Sequence, residues 1–149
     1  MQQDAVHEDT DVAMFDANGD GALDIYVTSG GYHNFEPFEP VLQDRLYMND
    51  GKGNFTKAKN AIRMAPSGTG TIAVGDVNGD NFLDVFVGGS ILPGRYPTTF
   101  DSGMLINDGK GNFTDQIQKI APELSYLGNI TDAVSVSYTH LTLPTILLV

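Results

Sequence analysis

Short apolar runs alternate with acidic, glycine-bearing turns along most of the chain. Residues 11–27 read DVAMFDANGDGALDIYV and residues 71–87 read TIAVGDVNGDNFLDVFV. In each, two apolar runs flank an acidic loop. The runs Ile25-Tyr26-Val27 and Val85-Phe86-Val87 are apolar on both alternating faces, which marks strands covered on both sides. A second shared block follows each, LYMNDGKGNFT at 46–56 and LINDGKGNFT at 105–114. The first block recurs at an offset of 60 residues and the second at 58 from Asn49 onward. Two blocks in the same order, two residues apart in offset, indicate duplication.

Each repeat predicts four short strands, near 11–15, 24–28, 45–49 and 53–57 in the first and near 71–75, 83–88, 103–107 and 111–115 in the second. NDGKGN reads as a hairpin turn, where Asp and Gly tolerate positive φ. The stretches 29–44 and 89–102 hold Gly, Pro and aromatic residues and read as long loops. Four-stranded units covered on both faces predict propeller blades. The fold class is therefore all-β, a fragment of a β-propeller with about two blades and the first strand of a third. The expected organisation is a lead-in at 1–10, repeats at 11–70 and 71–130, and the start of a third repeat at 131–134. Ala133 lies 60 residues after Ala73, so a further acidic loop is expected near 136. The chain instead reads VSYTHLTLPT from Val136 to Thr145, a string that looks like a translated sequencing adaptor. On that reading residues 135–149, His140 included, are an artefact without functional content.

Composition sharpens this picture. The chain has 149 residues, 19 acidic and 8 basic, for a formal net charge of −11. Asp outnumbers Glu by 15 to 4, with 10 Asn and 17 Gly, a bias toward turns over helices. The charge argues against a nucleic-acid or anionic-membrane surface. The absence of Cys removes disulfides, zinc–thiolate sites and Cys nucleophiles. No apolar run reaches the length of a membrane-spanning helix. Met1-Gln2-Gln3-Asp4 lacks the start of a signal peptide, so the protein is cytosolic or the chain lacks its true beginning.

The candidate chemistry lies in the two acidic loops. Asp16, Asn18, Asp20 and Asp24 occupy loop positions 1, 3, 5 and 9, and Asp76, Asn78, Asp80 and Asp84 repeat the spacing. Alternate residues of a tight loop can aim oxygens at one centre, and the carbonyl of Ala22 or Phe82 can add another. Ca²⁺ takes six to eight such oxygens, whereas Mg²⁺ prefers strict octahedral geometry and zinc prefers His or Cys. Three carboxylates within nine residues repel one another without a counter-ion. About two calcium ions, one per repeat, would bring the net charge from −11 to about −7. The sharp turn at position 6 falls on Gly21 and on Asn81, the latter the next most tolerant of left-handed φ. An EF-hand would need an acid at position 12, where Val27 and Val87 stand in strand-like runs.

These loops resemble the FG-GAP/VCBS repeats of integrin α β-propellers. The blocks DRLYMNDGKGNF at 44–55 and GGSILPGRYP at 88–97 are similar to the cartilage acidic protein-like group, which often carries an ASPIC/UnbV domain. The resemblance covers about 11–134. It implies a propeller of about seven blades, metal ligands at Asp16, Asn18, Asp20, Asp24, Asp76, Asn78, Asp80 and Asp84, and an extracellular, surface or periplasmic setting. Asn81 departs from the pattern, where Gly is usual, and weaker binding is expected there.

The leading functional expectation is a non-enzymatic, calcium-stabilised module that binds a protein or glycan. The alternative is part of a carbohydrate-active hydrolase or lyase whose active site lies in other blades. His7 and His33 read as surface or loop residues. Arg45 beside Asp44, and Arg95-Tyr96, read as structural pairs, with a carbohydrate or peptide contact as the other reading of Arg95-Tyr96, and Tyr32, Phe35 and Phe38 read either as lining for a ligand surface or as cover for a blade edge. Two blades alone leave faces and edges bare, so this stretch is expected to be marginal or aggregation-prone in isolation.

Overall fold

The computed structural model describes residues 6–31, 36, 38–136 and 145–148. Strands β1 (Glu8–Phe15), β2 (Asp24–Gly30), β3 (Arg45–Asn49) and β4 (Phe55–Lys57) form one antiparallel meander. The second sheet repeats it with β6 (Thr69–Gly75), β7 (Asp84–Gly89), β8 (Gly103–Asn107) and β9 (Phe113–Asp115). Strand β5 (Ile62–Arg63) lies between the two meanders in sequence. It joins the second sheet beyond β9, in parallel, with Ile62 opposite Phe113. A one-turn helix α1 (Ile117–Ile120) follows β9, and β10 (Ala133–Val136) pairs antiparallel with β11 (Thr145–Leu148). The chain is nearly all β, with the antiparallel sheets of a propeller fragment.

The duplication extends to irregularities. The ladder between β1 and β2 slips at Thr10, and that between β6 and β7 slips at Gly70, the same repeat position. Strand β1 packs on β6, and β6 on β10, so the first strands of successive units lie side by side.

Packing explains why β7 is apolar on both faces. Val85 and Val87 face the first sheet, in a core with Phe15, Tyr26, Leu46, Leu105 and Phe113. Phe86 faces the other way, against Met104, Ile117, Ile130 and Ala133. Phe113 is fully buried, and its ring meets those of Phe15 and Tyr26 edge-on at centroid distances of 6.1 and 6.2 Å. Edge-to-face pairs of this kind add to simple area burial.

Several boundaries differ from the sequence-based expectations. β1 and β6 begin earlier, at Glu8 and Thr69, because pairing continues past the slipped residue into polar sequence. The lead-in 1–10 is therefore partly strand, and the expected boundary between residues 70 and 71 falls inside β6. β4 and β9 are shorter than expected, since residues 50–54 and 108–112 are held in turns. β5 and α1 were not expected. The expected third repeat does begin a strand near 131–134, and β10 carries it to Val136. His140 lies outside the described residues.

Candidate functional site

Each acidic loop joins the first two strands of its blade and is closed by its own amides. In the first, Asp16 Oδ1 accepts the N–H of Gly19 (2.7 Å) and of Asp20 (3.2 Å), and Oδ2 accepts that of Gly21 (2.8 Å). Asn18 Oδ1 accepts from Asp20 N, and Asn18 Nδ2 donates to Asp20 Oδ2. Asp20 Oδ1 accepts the N–H of Ala22 (2.8 Å). The second loop repeats every bond through Asp76, Asn78, Gly79, Asp80, Asn81 and Phe82, within about 0.1 Å. Gly21 and Asn81 hold the same left-handed backbone, at φ 86° and 69°.

Asp24 and Asp84 do different work. Asp24 is fully buried, taking the N–H of Ala17 (2.9 Å) on one oxygen and of Asn49 (2.8 Å) on the other. Asp84, 1% exposed, does the same with Val77 (3.0 Å) and Asn107 (2.9 Å). Asn49 and Asn107 complete the tie by donating Nδ2–H to the carbonyls of Leu23 and Leu83, both at 3.1 Å. The two conserved-order blocks of each repeat are thus wired together, which is why they recur as a pair. Asn107 also reaches across to the carbonyl of Ala17, at 2.9 Å, in the other blade. Gly109 admits the Phe82 ring, which would lie 2.6 Å from a Cβ there.

The electrostatics follow from these contacts. Desolvation opposes ionisation of Asp16, yet the amides of Gly21, Gly19 and Asp20 hold its carboxyl below the usual range. Burial pushes Asp84 upward, with the nearby charges of Asp80 and Asp76 adding to it and the amides of Asn107 and Val77 opposing. The donor set consists of oxygens alone, which fits Ca²⁺. Each oxygen that accepts one amide keeps a lone pair for a cation. In this arrangement the amides rather than an ion satisfy the carboxylates. Among the described residues, no group of three His, Asp or Glu is gathered so as to hold a metal.

Two carboxylates that the spacing did not single out join the blades. Asp44 is buried and accepts from Tyr26 Oη (3.0 Å), Ser29 N (2.9 Å) and, in the next blade, Thr69 Oγ1 (2.6 Å). Burial pushes its carboxyl up to about 6, against the pull of these donors and of Arg45. Asp11 Oδ2 accepts from Thr71 Oγ1 (3.2 Å) and Ile72 N (3.1 Å) of the neighbouring strand. A signal existed: Asp11 and Thr71 are equivalent positions that differ in charge.

The remaining candidates are scattered. His7 Nδ1 bonds the Val41 carbonyl at 2.6 Å. Arg45 pairs with Asp9 as well as lying beside Asp44. Phe38 meets Phe100 edge-on at 5.5 Å. Tyr32, His33 and Phe35 lie outside the described residues.

No helix of the described residues is long and apolar enough to cross a membrane. No curated protein and no solved structure matches the chain. Among protein families, the FG-GAP-like repeat matches residues 16–87, from the first residue of the first acidic loop to beyond the last of the second. The matched stretch runs from the first acidic loop through the rest of the first meander and β6 into β7, and its likeness to an FG-GAP-like repeat accords with the paired blades.

Proposed function

We propose that this chain is a calcium-binding segment of a β-propeller in an exported protein, that it is not itself catalytic, and that it serves to bind a protein or glycan. One observation carries the reading: two loops of the same spacing, Asp16–Asp24 and Asp76–Asp84, close through the same hydrogen bonds at the same place in each blade. Asp16, Asn18 and Asp20, with their second-loop equivalents, are the exposed or half-exposed oxygens that would hold the ion. Asp24 and Asp84 would join them at the loop base, with the carbonyls of Ala22 and Phe82. The ion would offset two of the three negative charges of each loop and add its binding energy to folding.

Further blades of the same propeller are the first partners. Val12, Met14 and Leu23 of the first blade are 57%, 58% and 52% exposed. Val12 corresponds to Ile72, which the first blade covers in the second. A blade placed ahead of the first would cover Val12 and Met14 in the same manner.

The test is a Ca²⁺ titration of the whole chain followed by its melting temperature. Calcium at 1,000 times its Kd stabilises by about 4 kcal/mol per site, and the shift should vanish in the Asp16→Ala, Asp76→Ala double variant. A melting temperature indifferent to Ca²⁺, or an equal shift in the double variant, overturns the reading.

A further inference from the structure

A cluster of positive charge in this acidic chain lies away from the loops. Arg45, Lys57 and Lys59 line one cavity of about 420 Å³ at the outer part of the first blade, together with His7, Gln43 and Asn60. These are three of only 8 basic residues, against 19 acids. Arg45 is 4% exposed, yet its Nε has no hydrogen-bond partner. Its Nη2 pairs with Asp9, whose side chain is 56% exposed. A guanidinium presents Nε and Nη as a fork matched to a carboxylate, and here one prong is used and the other idle. A buried donor left idle is destabilising, because it has given up water without gaining a partner. Asp44, the acid beside it, is already engaged by Tyr26, Ser29 and Thr69.

We propose that this cavity binds the carboxylate of an acidic sugar, which pairs with the Arg45 guanidinium that lines it. Lys57 and Lys59 supply the attraction at the rim, where both are exposed. The side-chain amides of Gln43 and Asn60 offer paired donor and acceptor groups for ring hydroxyls. The volume suits one or two sugar units, within the size range of small-ligand sites. Asp9, outside the cavity lining, competes for the same guanidinium. The inference rests on the reading of the chain as a binding module and names the ligand class. It does not require calcium.

The experiment is calorimetric titration of the full chain with a diuronic acid, with a neutral disaccharide and a glutamate hexapeptide as parallel probes. Diuronate binding is expected, weakened at least tenfold by Lys57→Ala with Lys59→Ala and tightened severalfold by Asp9→Asn. Lys59→Ala alone, at an exposed side chain, should also weaken binding while its melting temperature holds. No diuronate binding, equal binding of the neutral sugar, equal or tighter binding of the peptide, or indifference to the lysine variants overturns the proposal. Each titration is run with and without Ca²⁺. Calcium stabilisation without diuronate binding refutes this inference alone, whereas diuronate binding without calcium stabilisation refutes the calcium reading alone.

Discussion

The two blades share a pattern and differ in what lies against it. Val12 and Ile72 occupy one repeat position, yet Val12 is 57% exposed and Ile72 is 8%. Met14 is 58% exposed, while its equivalent Val74 packs on the interblade core. The same slot differs in chemistry beneath the sheet. Where the first blade has Tyr26 and Asp44, the second has Phe86 and Ser102, and Gly89 N donates to Ser102 Oγ (3.1 Å) as Ser29 N does to Asp44. A repeat therefore specifies a surface and a socket, and the neighbour decides whether that surface becomes core. The seam between blades holds the larger of the two buried cores described above.

The largest effect is expected at the centre of that seam. Phe113→Ala removes a fully buried ring that meets two others and should cost about 3–5 kcal/mol, read by chemical denaturation. Next, Ile72→Ala should cost about 2–4 kcal/mol and Val12→Ala under about 0.5, although the sequence treats the positions alike. Equal losses would mean that Val12 is covered in solution.

The polar socket gives a pH test of intermediate size. Folded Asp44 holds its proton to about pH 6, above the ordinary 3.8. Between those values the folded state binds the extra proton, so stability falls as pH rises. The contribution is complete below 3.8 and lost above about 6, roughly 2–3 kcal/mol in all. Importing the second blade's residues, Tyr26→Phe with Asp44→Ser, should flatten the dependence of melting temperature on pH in that window. The smallest effect is at the loop turn. Asn81→Gly should stabilise by about 0.5 kcal/mol, and Gly21→Asn should destabilise by a similar amount, since both positions are left-handed.

Much of this architecture is legible in the chain because duplication exposes it. The offsets of 60 and 58 place eight strands, and the two-faced apolar run of Val85-Phe86-Val87 announces a strand with a core on each side. The acidic loops are legible as turns through Asp and Asn spacing. The second task of Asp24 is not, since its partner Asn49 lies 25 residues away and only folding brings them together. Asp44 is hidden for the same reason, with donors at residues 26, 29 and 69. β5 is two residues long and has no period to read.

That short strand redraws the unit that must be kept whole. Phe113 N donates to the Ala61 carbonyl at 2.6 Å, and Ile62 and Arg63 then border β9 in parallel. Anyone excising the second repeat at residue 71 would cut inside β6, leave β5 behind and unveil the rim of β9 to any strand seeking a mate. The cassette that can be shuffled or grafted thus starts near Ala61, ten residues before the textual repeat, and overlaps its predecessor like a roof tile.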